Sequence, residues 1–305
     1  MPLVRKMAAA PAKAPIKRTI AKRTIEPSKT YTLPSAPIEP RDDLSVYSYL
    51  IYGQKKIGKT TLASCFPDAL FFMFEPGAKA LRVRWVDCST WKDAVGYLSA
   101  LEATPADKRP KTVVIDTGFE ANLKCMRYIC DKENIDYPRE DNFGKDWDKI
   151  KRELRGFHDR IFALGIGLVV LCHETVKEQQ TFTGQKYDQV VPLLQKATDE
   201  FYRAAIDNVW WYHYRGKQRF LQIRGTDHAM GGTALQANRF FNTPTGEIVY
   251  AIPIGSDPAG GMKAIENAFH NHQMKSYKDD TEQSSDRAVK ESVAEKIRKE
   301  SRKRR

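Results

Sequence analysis

The chain has 305 residues, 41% hydrophobic and 10% aromatic, enough for one large α/β domain with a sizeable buried core. No apolar run reaches the roughly 18 to 20 residues of a membrane helix, and the N-terminus lacks a signal peptide's apolar core, so a membrane-spanning protein is not expected. The formal net charge is +12, but residues 1–30 carry eight Lys/Arg against one acid, and residues 275–305 eleven basic against seven acidic side chains.

About +1 is therefore left for residues 31–274, a nearly neutral body with basic ends. Such ends are expected to attract a polyanion, because each phosphate contact releases counterions. The five cysteines form no CxxC pair, and their odd number fits reduced thiols and a cytoplasmic location.

Residues 1–44 read as a basic arm broken by seven prolines. Val46–Tyr52 is a β-branched and aromatic run that suits a buried strand, and Gly53 to Gly58 a loop. Lys59–Cys65 opens a helix that Pro67 limits. Ala69–Phe74 and Arg82–Val86 are strand candidates. Thr90 can cap a helix through Ala103, with Ala94, Leu98 and Leu101 on one face. Thr112–Asp116 is a short apolar strand ending in a carboxylate, followed by a helix over Glu120–Asp131 and a polar loop through Asn142.

Trp147, Ile150, Leu154, Phe157 and Ile161 stand at helical spacing within Lys145–Leu164, with Gly165 as the stop. Ile166–Cys172 is the most apolar strand, and 174–192 is expected to be a polar, mobile loop. A helix over Leu193–Ala205 precedes a hairpin, Val209–Tyr214 turning at Gly216-Lys217 into Arg219–Arg224. Ile248–Ile252 is the last strand expected. The folded core is placed at 45–255, and 256–305 is read as a polar, partly helical, basic tail. Helices alternating with apolar strands imply an α/β fold with a mostly parallel sheet and ligands at the strands' carboxyl ends.

The strongest chemical signal is Gly53-Gln54-Lys55-Lys56-Ile57-Gly58-Lys59-Thr60, with Thr61 completing the segment, the G-x4-GK[ST] pattern of a P-loop. Triphosphate binding needs backbone N–H groups curled round the anion, so glycines stand where a Cβ would obstruct. Lys59 is expected to neutralise the β- and γ-phosphates of ATP, and the Thr60 hydroxyl to ligate Mg²⁺. Asp116, ending its strand, is the expected partner for that metal through water. Glu75, directly after the strand Leu70–Phe74, suits the base that orients the attacking water. His173, at the end of the Gly167–Cys172 strand, is placed to sense the γ-phosphate.

These segments, Gly53–Thr61, Glu75-Pro-Gly-x-Lys-x-Leu81, Val113–Asp116 and Leu168–Glu174, resemble phage-encoded nucleotide-binding proteins with a RecA-type P-loop NTPase core, among them the RecA-like single-strand annealing proteins of bacteriophages. The similarity covers about residues 45–225. It implies Glu75 as catalytic base and His173 as sensor, although RecA itself has Gln there. It also implies that the loops at about 132–146 and 174–192 face single-stranded DNA, with Lys177 and Lys186 for phosphates and Phe182 and Tyr187 for stacking. A ring or filament of copies follows by resemblance, with a trans-acting cation from Lys217, Arg219 or Arg224. Single-stranded DNA and a single-strand binding protein are the other implied partners, and the host cytoplasm the implied location. The expected function is thus an Mg²⁺-dependent ATPase promoting annealing or strand exchange in phage recombination. A nucleotide-gated loader or adaptor for replication and a small-molecule or nucleoside kinase are the alternatives.

Overall fold

The computed structural model describes residues 33–277 apart from 140, 142, 182, 183 and 236–238. The basic arm expected over 1–44 lies mostly outside those residues, as does the end of the tail. The described residues from Arg41 onwards cluster as one compact unit.

Among the described residues, ten strands form that unit's sheet. They are β1 (Ser48–Gly53), β2 (Ala69–Met73), β3 (Arg84–Asp87), β4 (Thr112–Asp116), β5 (Gly167–Gln180), β6 (Lys186–Pro192), β7 (Asn208–Arg215), β8 (Gln218–Gln222), β9 (Gly232–Thr233) and β10 (Ala251–Gly255). The order is β10-β8-β7-β1-β5-β4-β2-β3, with β6 paired to β5 and β9 to β7. From β3 to β7 all neighbours on this path are parallel, and β8, β9 and β10 add antiparallel pairs at one side. The mostly parallel α/β core expected from the sequence is present.

The helices are α1 (Lys59–Ala63), α2 (Trp91–Ala103), α3 (Gly118–Glu133), α4 (Lys145–Ala163), α5 (Lys196–Ala205) and α6 (Gly261–Phe269). Parallel strands covered on both faces must be apolar at every position, and β1 is buried throughout. Alternate residues therefore feed two cores. Tyr49, Ile51, Val114, Val169 and Leu171 pack with Leu62 of α1 and Ile265 and Phe269 of α6. Leu50, Tyr52, Val113, Ile115, Leu168 and Val170 pack with Leu98, Met126, Leu154 and Tyr202 from α2 to α5. Thr90 caps α2 with a reciprocal bond from Asp93, so that helix starts where its capping residue dictates.

Element boundaries move by up to three residues, as where the last strand runs Ala251–Gly255 rather than Ile248–Ile252, and two segments differ in kind. Residues 174–192 are a β-hairpin, because β5 runs on to Gln180 and pairs antiparallel with β6 from Glu174↔Pro192 to Gln180↔Lys186. Its far half is polar on both faces, so it lacks the apolar alternation that marks a half-buried strand. Thr181 N–H donates to Gln185 O at 2.9 Å and closes the turn. Beyond 255, α6 buries Met262, Ile265, Ala268 and Phe269 against the first core, so the packed body extends into the segment read as tail. All five cysteines are free thiols, four of them buried. No described helix is long and apolar enough to cross a membrane.

Trp91 is 1% exposed, lies 4.8 Å from Phe157 between ring centroids, and donates to Glu153 at 3.0 Å. Trp91→Ala is expected to cost about 3–5 kcal/mol by leaving a cavity. Gly156→Ala, inside α4 where an added Cβ meets nothing within 4 Å, is expected to stabilise by roughly 0.5–1 kcal/mol. Urea denaturation of the two variants should give opposite signs.

Candidate nucleotide site

Register sets the site. Gly53 pairs with His173 across β1 and β5, while Asp116 pairs with Leu171 of β5 and with Met73 of β2. The carboxyl ends of β1, β4 and β2 are therefore nearly level with His173, where β5 leaves its parallel pairing, and residues at or just past this edge line one cleft. That cleft, of about 500 Å³, is lined by Lys55, Lys56, Gly58, Lys59, Thr60 and Thr61 on one side and by Glu75, Asp116, Thr117 and His173 on the other. Met73, Pro76, Ala80 and Leu81 close it with apolar surface.

The P-loop needs two of its glycines for different reasons. Gly58 has φ +104°, a left-handed backbone that favours glycine, and caps α1. At Gly53 a Cβ would come within 2.0 Å of the Tyr212 carbonyl oxygen on β7, so no side chain fits there. Gln54 is exposed at the loop's outer side, and Ile57 is buried in the first core.

Lys59 is 6% exposed, and its ammonium donates to the carbonyls of Gly53 at 2.8 Å and Gln54 at 2.7 Å. It also lies 3.4 Å from His173 Nδ1. Burial lowers its pKa, and the charge of Asp116 opposes that shift. Thr60 Oγ1 donates to Asp116 Oδ2 at 2.8 Å. Asp116 is 7% exposed, and burial raises its pKa while the Thr60 hydroxyl and the Lys59 charge pull it back. A hydroxyl and a desolvated carboxylate in contact at a phosphate-binding loop are the hard oxygen donors that Mg²⁺ takes beside phosphates and water. The residues therefore fit a magnesium-bound nucleotide.

Glu75 stands across the cleft. Its carboxylate accepts from Thr117 Oγ1 at 2.6 Å and lies 3.7 Å from His173 Nε2. His173 beside it, and then the Thr117 hydroxyl, hold the Glu75 pKa below its ordinary value against the effect of partial burial. The imidazole presents Nδ1 to Lys59 and Nε2 to Glu75. His173 thus lies between the Lys59 ammonium and the Glu75 carboxylate.

The DNA-contact candidates fall elsewhere. Lys177 on β5 pairs with Asp199 at 3.5 Å, and Lys186 on β6 with Glu178 at 2.7 Å. Tyr187 is half-buried opposite Gln179, and Phe182 lies outside the described residues. Lys217 is exposed in the β7–β8 turn, and Arg224 follows β8. Sequence reasoning missed Thr117, 2% exposed, which holds Glu75 and caps α3. The Thr117-x-x-Glu120 spacing at the helix start was its signal.

No curated protein matches the chain by sequence. Among solved structures, a KaiC-like protein from the hyperthermophilic archaeon Pyrococcus horikoshii is similar, at 14% identity and a TM-score of 0.40, over 71% of this chain and 88% of that one. An AAA domain family matches residues 45–234, which hold the P-loop, Glu75, Asp116 and His173. With more than half of its length matched, and that part carrying the phosphate loop, this chain belongs to the AAA domain family.

Proposed function

We propose that the protein is an Mg²⁺-dependent ATPase that binds single-stranded DNA and promotes its annealing or strand exchange. The observation that carries the nucleotide part is the Thr60–Asp116 contact of 2.8 Å beside the buried Lys59. It brings a buried ammonium and two oxygen donors together where the P-loop meets the end of β4. Lys59 would hold the β- and γ-phosphates, Thr60 would ligate the magnesium, and Asp116 would fix it through water. Magnesium, when bound, would neutralise charge on the phosphates. The apolar end at Met73, Ala80 and Leu81 suits a nucleobase.

Glu75, held ionised by His173 and Thr117, suits water orientation better than strong proton abstraction, because a lowered pKa makes a weak base. His173, bridging Lys59 and Glu75, would report phosphate occupancy to the base and to the β5–β6 hairpin that begins one residue later.

The DNA part, and a phage setting for it, rest on the resemblance to phage annealing proteins. The β5–β6 hairpin, with Lys177, Phe182, Lys186 and Tyr187, would contact the strand together with the basic ends of the chain. A nucleotide-gated adaptor is the second reading, favoured by the pairing of Lys177 and Lys186 with carboxylates, which leaves less charge for phosphate. ATP hydrolysis measured with and without single-stranded DNA separates the two. The annealing reading expects turnover stimulated by DNA, lost in Lys59→Ala and lowered about 10²–10³-fold in Glu75→Gln. Turnover unchanged by DNA and by Glu75→Gln supports the adaptor, and phosphorylation of a nucleoside overturns both.

The Glu75–His173 contact also predicts a pH effect. The folded-state pKa of Glu75 is depressed, so the pair adds stability above the ordinary glutamate value of about 4.3 and loses it as pH falls through the depressed value. His173→Ala is expected to raise the Glu75 pKa, read from its carboxyl carbon shift in a pH titration. An unmoved titration contradicts the pairing.

A further inference from the structure

Arg219 lies on β8 opposite Tyr214 of β7, and its guanidinium stacks over that ring at 5.1 Å. Its Nε donates to the Ile57 carbonyl of the P-loop at 2.8 Å, and Nη1 donates to the Ser256 carbonyl just past β10. Next to that contact, Pro258 covers Gly58 so closely that a Cβ there would lie 2.7 Å from Pro258 Cγ. The outer side of the phosphate loop is thus bound to the β8–β10 edge of the same chain.

The Ile57–Gly58 peptide is trans. In a trans peptide the carbonyl and the following N–H point in opposite directions. Gly58 lines the nucleotide cleft and Arg219 does not. A cation that holds the Ile57 oxygen on the outer side therefore turns the Gly58 N–H towards the cleft, where the phosphates would lie. We propose that Arg219 is a positioning residue of the nucleotide site, fixing the Ile57–Gly58 peptide so that its N–H faces the phosphates. This role is in cis, in contrast to the expectation that an arginine of this hairpin serves a neighbouring copy. It rests on the nucleotide reading above.

The test is calorimetric titration of the full chain with MgADP, for wild type, Arg219→Gln, Arg219→Lys and Lys59→Ala. Arg219→Gln should weaken binding about tenfold or more, as expected for loss of a hydrogen bond from a charged group. Arg219→Lys, which keeps the charge but not the two-pronged grip, should fall between it and wild type. In turnover KM should rise while kcat is largely retained. Should Arg219→Gln fail to fold, Arg219→Lys carries the same comparison. At subsaturating ATP, a mixture of Arg219→Gln and Lys59→Ala subunits should turn over no faster than the Arg219→Gln subunits alone. Wild-type affinity in Arg219→Gln overturns the proposal, as does faster turnover in the mixture, which would make Arg219 a group acting on the neighbour's site. Failure of the wild type itself to bind MgADP overturns the nucleotide reading and this inference together.

Discussion

The hydrogen bond from Thr60 to Asp116 spans β5. Thr60 follows β1, Asp116 ends β4, and β5 lies between them, so two strand spacings of about 4.8 Å separate the strands that carry the pair. The chain closes that gap only because the P-loop swings outward from Gly53 and α1 returns over the sheet's carboxyl edge. A shift of one residue in the β1–β5 or β4–β5 register would turn the inward side chains outward. The near-continuous apolar sequence of these strands, packed on both faces, holds that register.

The charges at this edge are set by the same burial. Burial works against both the Lys59 ammonium and the Asp116 carboxylate, raising one group's preference for neutrality as much in kind as the other's. Each partly supports the other's charge, and the Thr60 hydroxyl supports the carboxylate. A polyanion and a divalent cation arriving together would supply what each lacks. Glu75 stands apart from this economy of buried charge because His173 and Thr117 hold it ionised, at a more open position.

Much of this was legible in the sequence because it depends on local rules. The Gly53–Thr61 spacing, the Val113–Asp116 strand and the Thr90 cap each declare themselves within a few residues, and β4 begins and ends where the reading put it. The β5–β6 hairpin was not legible, since strand pairing by polar residues has no apolar period. Nor was α6, whose role depends on meeting Leu62 and the β10 edge. The tie from Arg219 to Ile57 joins residues 162 positions apart, and no local pattern announces it. Sequence thus reached the groups that would touch phosphate and metal, while the contacts that orient them came from tertiary packing.

The proposed function depends on Lys59, Thr60 and Asp116 acting together as a magnesium-dependent nucleotide site. The most direct measurement is ADP affinity with and without Mg²⁺ in the wild type and in Asp116→Asn. Mg²⁺ is expected to strengthen binding in the wild type and this gain to be lost in the variant, with metal-free affinity retained. Equal Mg²⁺ dependence in both proteins would contradict this expectation.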